Sequence, residues 1–182
     1  LVMSHACSLG EPIHQDIIRL MLLLKAHALS LGKSGVQLVT VERIIDMFNH
    51  NVLPGVRELG SLGASGDLAP LANLFLPLIN EGEVWYKGKI CDAKAINAKL
   101  GWAPIKLGAK EGLALLNGTQ FMSSHAVYAL LKAFKIAKYA DIIGALSLEA
   151  YDGRIDPFLP QIQAARPHPG QIETARNIRT LL

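Results

Sequence analysis

The sequence contains only two cysteines, Cys7 and Cys91, with no CxxC pair and no cysteine–histidine cluster, so neither a disulfide framework nor a metal site is expected. Charge is scarce as well. Of 182 residues 18% are charged and 51% hydrophobic, which excludes disorder and makes a fully solvated surface hard to assemble. Some of the apolar surface is therefore expected to meet another chain or further sequence. The formal net charge of +3 is too small for a nucleic-acid footprint. The longest stretch free of formal charge, residues 112–131, carries Asn117, Thr119, Gln120, Ser123, Ser124 and His125, so no membrane span is expected. No secretory leader is read, and a reducing cytoplasm is the expected location. Leu1 stands where a start methionine would, and residues 174–182 read as a helix without a stop signal, so both ends are expected to be cuts.

Strand signals are nearly missing too. Residues 83–86 and 89–91, joined by Lys87-Gly88, form the single hairpin pattern and read as a surface excursion. Elsewhere the apolar spacing is helical. Ile13, Ile17, Leu20, Leu24, Ala28 and Leu31 recur at three and four over residues 11–32, and Ile18, Leu22, Leu23 and Leu29 fill other faces, which predicts a helix buried nearly all round and stopped by Gly32 and Gly35. A second helix is expected after Thr40 as its N-cap, and a third from Asp67 to Ile79, with Asp67 holding the free N–H groups of its first turn. A short helix is expected over residues 92–101, another from Lys110 to the Asn117-Gly118 turn, and a long one from Thr119 to about Ala150. That last helix would run for about 48 Å, which suits a large helical bundle shared between chains. A proline-rich loop over residues 156–170 precedes the final helix.

The chemistry is concentrated in Gly63-Ala64-Ser65-Gly66-Asp67. With glycine in third place, the small-residue run Ala64-Ser65-Gly66 can bend until the Gly66 nitrogen approaches the Ala64 carbonyl carbon. Attack closes a five-membered ring. Loss of water from the ring, and of the Ser65 hydroxyl as a second water, leaves a methylene conjugated to the ring carbonyl, a strong electrophile built from backbone. An isolated Ala-Ser-Gly would more simply be a glycine-rich loop.

Here the tripeptide is not isolated. The run GSLGASGDLAPLANL over residues 60–74 resembles the signature of the aromatic amino acid ammonia-lyases. Three further blocks agree in order: LVMSHA at residues 1–6, KEGLALLNGTQ at 110–120, and SLEA at 147–150 with ARPHPGQ at 165–171. The resemblance covers essentially the whole chain. It implies an all-α fold, a long-helix bundle of the ammonia-lyase/fumarase-like type with a small hairpin excursion. Residues 1–182 would be the central part of a single larger lyase domain, truncated at both ends. It also implies that Ala64, Ser65 and Gly66 become the prosthetic group 4-methylideneimidazole-5-one (MIO), that Asp67 organises the cyclising loop, and that Asn117 hydrogen-bonds the cofactor region. Asn117-Gly118 also reads as a helix-ending turn, and both readings can hold together.

The pair Ser4-His5 is similar to the histidine enzymes of the family, whereas the tyrosine enzymes carry His-Leu there and the phenylalanine enzymes Phe-Leu. An imidazole can exchange hydrogen bonds with an imidazole substrate, where leucine could only pack. Without the resemblance, His5 would read as a core histidine. The departure is Ser8, where the histidine enzymes show glycine. His14, His27, His50, His125 and His168 have no ligand spacing. The reaction implied is non-oxidative loss of ammonia from an aromatic L-amino acid, L-histidine to urocanate, in a homotetramer with no nucleic-acid or membrane partner. The family's tyrosine base would precede this chain and its carboxylate-binding arginine would follow it, so the chain alone is expected to be inactive. Tyr86, Tyr128, Tyr139 and Tyr151 match no such position. Phenylalanine or tyrosine specificity, an MIO-dependent aminomutase and a non-catalytic helical scaffold remain as alternatives.

Overall fold

A computed structural model describes all of residues 1–182. The chain forms two compact units, Leu1–Tyr128 and Ala129–Leu182. The first holds α1 (Val2–His5), β1 (Leu9–Pro12), α2 (Gln15–Ser30), α3 (Leu38–Asn49), β2 (Leu53–Pro54), β3 (Arg57–Leu59), α4 (Leu68–Phe75), β4 (Glu83–Tyr86), β5 (Lys89–Asp92), α5 (Ala93–Lys99), α6 (Glu111–Leu116) and the start of α7 (Gln120–Ala150). The second holds the rest of α7, α8 (Pro160–Ala164) and α9 (Pro169–Leu181). No helix is long and apolar enough to cross a membrane.

The core of the first unit is built on α2, whose Ile17, Ile18, Met21, Leu22, Ala26 and Leu29 are buried against Ile44 and Met47 of α3 and Leu71, Leu74 and Phe75 of α4. The expectation that α2 is buried all round is corrected: Leu23 and the following Leu31 face outward. The helix also begins later than its apolar spacing indicated. His14 is its N-cap rather than part of it, its ring Nδ1 accepting from the Asp16 amide at 3.2 Å. Gly32 at φ +70° ends the helix as expected, donating to the Leu29 carbonyl at 3.0 Å.

Thr40 is not the cap of α3. The helix starts three residues earlier, at Leu38, Gln37 is its N-cap, and Thr40 is buried with its hydroxyl donating to Glu111 Oε1 at 3.0 Å. A carboxylate distant in sequence takes over here: Glu111 accepts the Gln37 amide at 2.6 Å, its side-chain nitrogen at 2.5 Å, and the Gly108 amide at 2.5 Å. Burial alone would raise the Glu111 pKa. These backbone and side-chain donors outweigh it and hold the carboxyl below its usual range.

The hairpin β4–β5 pairs Glu83 with Asp92 through Tyr86 with Lys89, turning on Lys87 (φ +51°) and Gly88 (φ +79°), both left-handed as a two-residue turn requires. It is not the whole of the β structure. Strand β2 pairs with β4 (Leu53 with Trp85), and Val84 joins Val52, Ala93 and Ile96 in a small core of its own. Strands β1 and β3 form a separate antiparallel pair, Leu9 opposite Leu59 and Pro12 opposite Arg57. These strands are two to four residues long and carry Gly10, Pro12 and Pro54, so they show no alternating pattern. In the second unit Ala145, Ala175 and Ile178 are buried, and Asn177 donates to Asp141 Oδ2 at 2.7 Å. Leu130, Leu131, Phe134, Ile136, Ile143 and Leu146 of α7 are exposed.

Candidate active site

The β1–β3 pair sets the geometry of the site. Residues 4–8 lead into β1 and residues 60–66 follow β3, so pairing the strands brings both segments to one place. Between them lies a cavity of about 210 Å³, with Ser4, His5 and Cys7 on its lining together with Ala64, Ser65 and Gly66. Ser4 Oγ donates to the Leu1 carbonyl at 2.9 Å, and His5 Nδ1 lies 3.0 Å from both that carbonyl and Ser4 Oγ. A carbonyl only accepts, so Nδ1 carries the proton and Nε2 is the acceptor of the neutral ring. Ser8 Oγ accepts from Asn73 Nδ2 at 2.9 Å and stands against Gly60, where an added Cβ would lie 2.8 Å from it. The hydroxyl at position 8 is thus accommodated by an amide donor on α4 and by a glycine without a side chain.

Ala64 and Ser65 are exposed, whereas Gly66 is pressed against the turn that follows α6. Its φ is +109°, and a Cβ there would lie 2.5 Å from the Gly118 carbonyl oxygen and 2.8 Å from the Gly118 nitrogen, so only glycine fits. The next amide, that of Asp67, donates to the same Gly118 carbonyl at 2.8 Å. Asp67 is buried, but its side chain makes no capping bond to α4, in contrast to the expected role. Its Oδ1 accepts from Ser61 Oγ at 2.7 Å and its Oδ2 from the Met122 amide at 3.0 Å. One carboxylate therefore ties the start of the Gly-rich loop to the first turn of α7, satisfying an amide that no residue of that helix can.

Asn117 is the C-cap of α6, its amide donating to the Leu113 carbonyl at 3.0 Å. Its side chain makes no hydrogen bond to Ala64, Ser65 or Gly66, but its peptide with Gly118 is the surface on which Gly66 rests. The Asn117 carbonyl accepts from Lys25 Nζ at 3.1 Å. Lys25 is 2% exposed, and burial lowers its pKa to about 8. Sequence reading passed over this lysine. The signal was there: it sits on the α2 stripe formed by Ile18, Met21, Leu22 and Leu29, where an apolar residue is expected.

The fold carrying this loop is that of the helical ammonia-lyases. The crystal structure of histidine ammonia-lyase from Trypanosoma cruzi matches it with a TM-score of 0.94 at 41% identity, over 100% of this chain and 36% of that one. The chain belongs to the aromatic amino acid lyase family, whose model matches residues 1–182. Histidine ammonia-lyase 2 of Fusobacterium nucleatum subsp. nucleatum is 50% identical over 182 residues, 100% of this chain and 36% of that protein. Tyrosine aminomutase from Streptomyces globisporus is similar with a TM-score of 0.93 at 38% identity, over 99% of this chain and 34% of that one. The chain thus spans about a third of the length of these relatives.

Proposed function

We propose that this chain is the cofactor-bearing part of an ammonia-lyase that converts L-histidine to urocanate, with MIO formed from Ala64-Ser65-Gly66. The observation that carries this reading is the shared cavity of Ser4, His5, Ala64, Ser65 and Gly66, in a chain half identical to a histidine ammonia-lyase. The loop suits such a cofactor: Gly66 presents a nitrogen unshielded by any Cβ, in a left-handed bend that its neighbours enforce. Ring closure joins the Gly66 nitrogen to the Ala64 carbonyl carbon. The carbonyl oxygen leaves as water with the Gly66 and Ser65 amide hydrogens, and the Ser65 hydroxyl leaves as a second water with the Ser65 Cα hydrogen. Two waters account for every atom, and no oxidant is required.

When formed, the group supplies an electrophile toward the substrate amine, the demand that ordinary side chains do not meet. The remaining work falls to the chain itself. Asp67 and the Gly118 carbonyl hold the loop, and His5, with Nδ1 engaged, offers Nε2 to a substrate imidazole. Asn117 is assigned to the cofactor side of the site, as a dipole beside the loop. The exposed apolar face of α7 supports assembly into a homotetramer, since a monomer rarely leaves so much apolar surface to water. Intact mass and peptide mapping of residues 60–74 in the whole natural polypeptide test the cofactor. A deficit of two waters on Ala64-Ser65-Gly66 is expected, and an unmodified peptide would refute the mechanism in favour of a scaffold. Appearance of urocanate absorbance from L-histidine tests the substrate. A β-amino acid product instead would make the protein an aminomutase, the reading to which the tyrosine aminomutase likeness lends support.

A further inference from the structure

Lys25 is the only buried lysine or arginine of the chain, and none of its salt bridges involves it. Its surroundings are apolar: Ile18, Met21, Leu22 and Leu29 share its helix face, and the Phe75 ring centroid lies 5.9 Å from Nζ. Methionine would fill the same space without desolvating a charge, so packing does not account for an ammonium here. What the amine does is reach across 92 residues of sequence to the Asn117 carbonyl at 3.1 Å. Asn117 has left the helix, with φ −77° and ψ 123°, so its carbonyl has no partner in the ladder of α6. A hydrogen bond from a cation is about twice as strong as one from a neutral donor.

The peptide so held is the one that shapes the loop. Its Gly118 nitrogen and the next carbonyl oxygen bracket Gly66, and that carbonyl also takes the Asp67 amide at 2.8 Å. We propose that Lys25 is a positioning residue for cofactor formation: its amine fixes the Asn117-Gly118 peptide as the wall against which Gly66 is bent toward the Ala64 carbonyl carbon. The proposal rests on the reading of Ala64-Ser65-Gly66 as a cyclising tripeptide. Lys25 touches none of the reacting atoms and acts through backbone alone. Its lowered pKa, a consequence of the same burial, fits an amine whose sole polar partner is a carbonyl.

The test uses the whole natural polypeptide as wild type, Lys25→Met and Lys25→Gln, each made by cell-free synthesis, following the two-water deficit on residues 60–74 by mass over time after synthesis, with heat stability in parallel. Lys25→Met is expected to fold with its unfolding midpoint kept or raised, yet to acquire the deficit about tenfold or more slowly. Lys25→Gln, a neutral donor, is expected to fall between it and wild type. A merely structural role would lower stability and leave the maturation rate of folded protein unchanged. Wild-type maturation in Lys25→Met overturns the proposal, and if that variant does not fold, wild-type maturation in Lys25→Gln does so. A wild type that itself lacks the deficit refutes the cyclisation reading and the proposal with it, an outcome distinct from a loss confined to the variants.

Discussion

Adjacent small residues in the loop have opposite mutational sensitivities. Ser65 is exposed and its hydroxyl makes no hydrogen bond that the fold uses, so Ser65→Ala should leave the urea unfolding curve unchanged. On the proposed cyclisation it should also limit the mass deficit to at most one water and lower activity by about a thousandfold or more, since the electrophilic methylene would come from that side chain alone. Gly66→Ala should do the reverse in order of cause. The new methyl group would meet the Gly118 backbone at a φ that L residues rarely adopt. The loop must then shift, with a loss of about 2 kcal/mol or more in urea unfolding and no cyclised product in the mapped peptide. His5 is of a third kind. Its protonated Nδ1 is occupied by the Leu1 carbonyl, so the proposed substrate contact falls to the single acceptor at Nε2.

Two helices, α3 and α7, have their first turns capped by carboxylates that lie far away in sequence. Glu111 of α6 accepts at the start of α3, and Asp67 before α4 accepts from the first turn of α7. Each bond satisfies an orphan amide of one element with the side chain of another, so the element boundaries depend on the tertiary contact as much as on local sequence. Asp67→Ala should loosen the first turn of α7 and free Ser61. The expected cost is about 2–3 kcal/mol, because the Met122 amide and the Ser61 hydroxyl are both left without a partner. Hydrogen exchange at Met122, compared with an amide in the middle of α7, checks the location of that loss: only the former should accelerate before global unfolding.

Buried ionisable groups give the molecule an expected pH profile for stability. Glu111 has a folded pKa below its ordinary value, so the stability it contributes is present above that ordinary value and is lost as pH falls through the folded one. Acid should therefore release α3 from the 108–111 turn, and Glu111→Gln should flatten the acid limb of the unfolding profile. Lys25 acts at the other end and with the other sign. Its folded pKa of about 8 lies below the ordinary 10.5, so the unfolded chain binds more protons between those values and stability rises as pH climbs through the window. Below pH 8 the cost of burying the ammonium is present in full, about 3 kcal/mol, and chemical denaturation of wild type against Lys25→Met at pH 7 and pH 10 measures it. The difference between the two proteins should shrink at the higher pH.

Sequence alone determined what local chemistry controls. Apolar residues spaced at three and four placed α2 and α7, Lys87-Gly88 placed the hairpin turn, and the Gly-rich run around Ala64-Ser65-Gly66 with its flanking blocks marked the family. Only the tertiary structure decided which groups meet. Nothing local shows that Asp67 serves α7 instead of α4, that Glu111 displaces Thr40 as the acceptor at α3, or that Lys25 meets Asn117, because each pairing spans 55 to 92 positions. The strands β1 and β3, which bring His5 to the loop, are legible only as a pair, since segments of three or four residues with glycine and proline gain their order from the partner strand. Local propensity fixes the conformation of a segment. Burial, and the need of every buried polar group for a partner, fixes its neighbour.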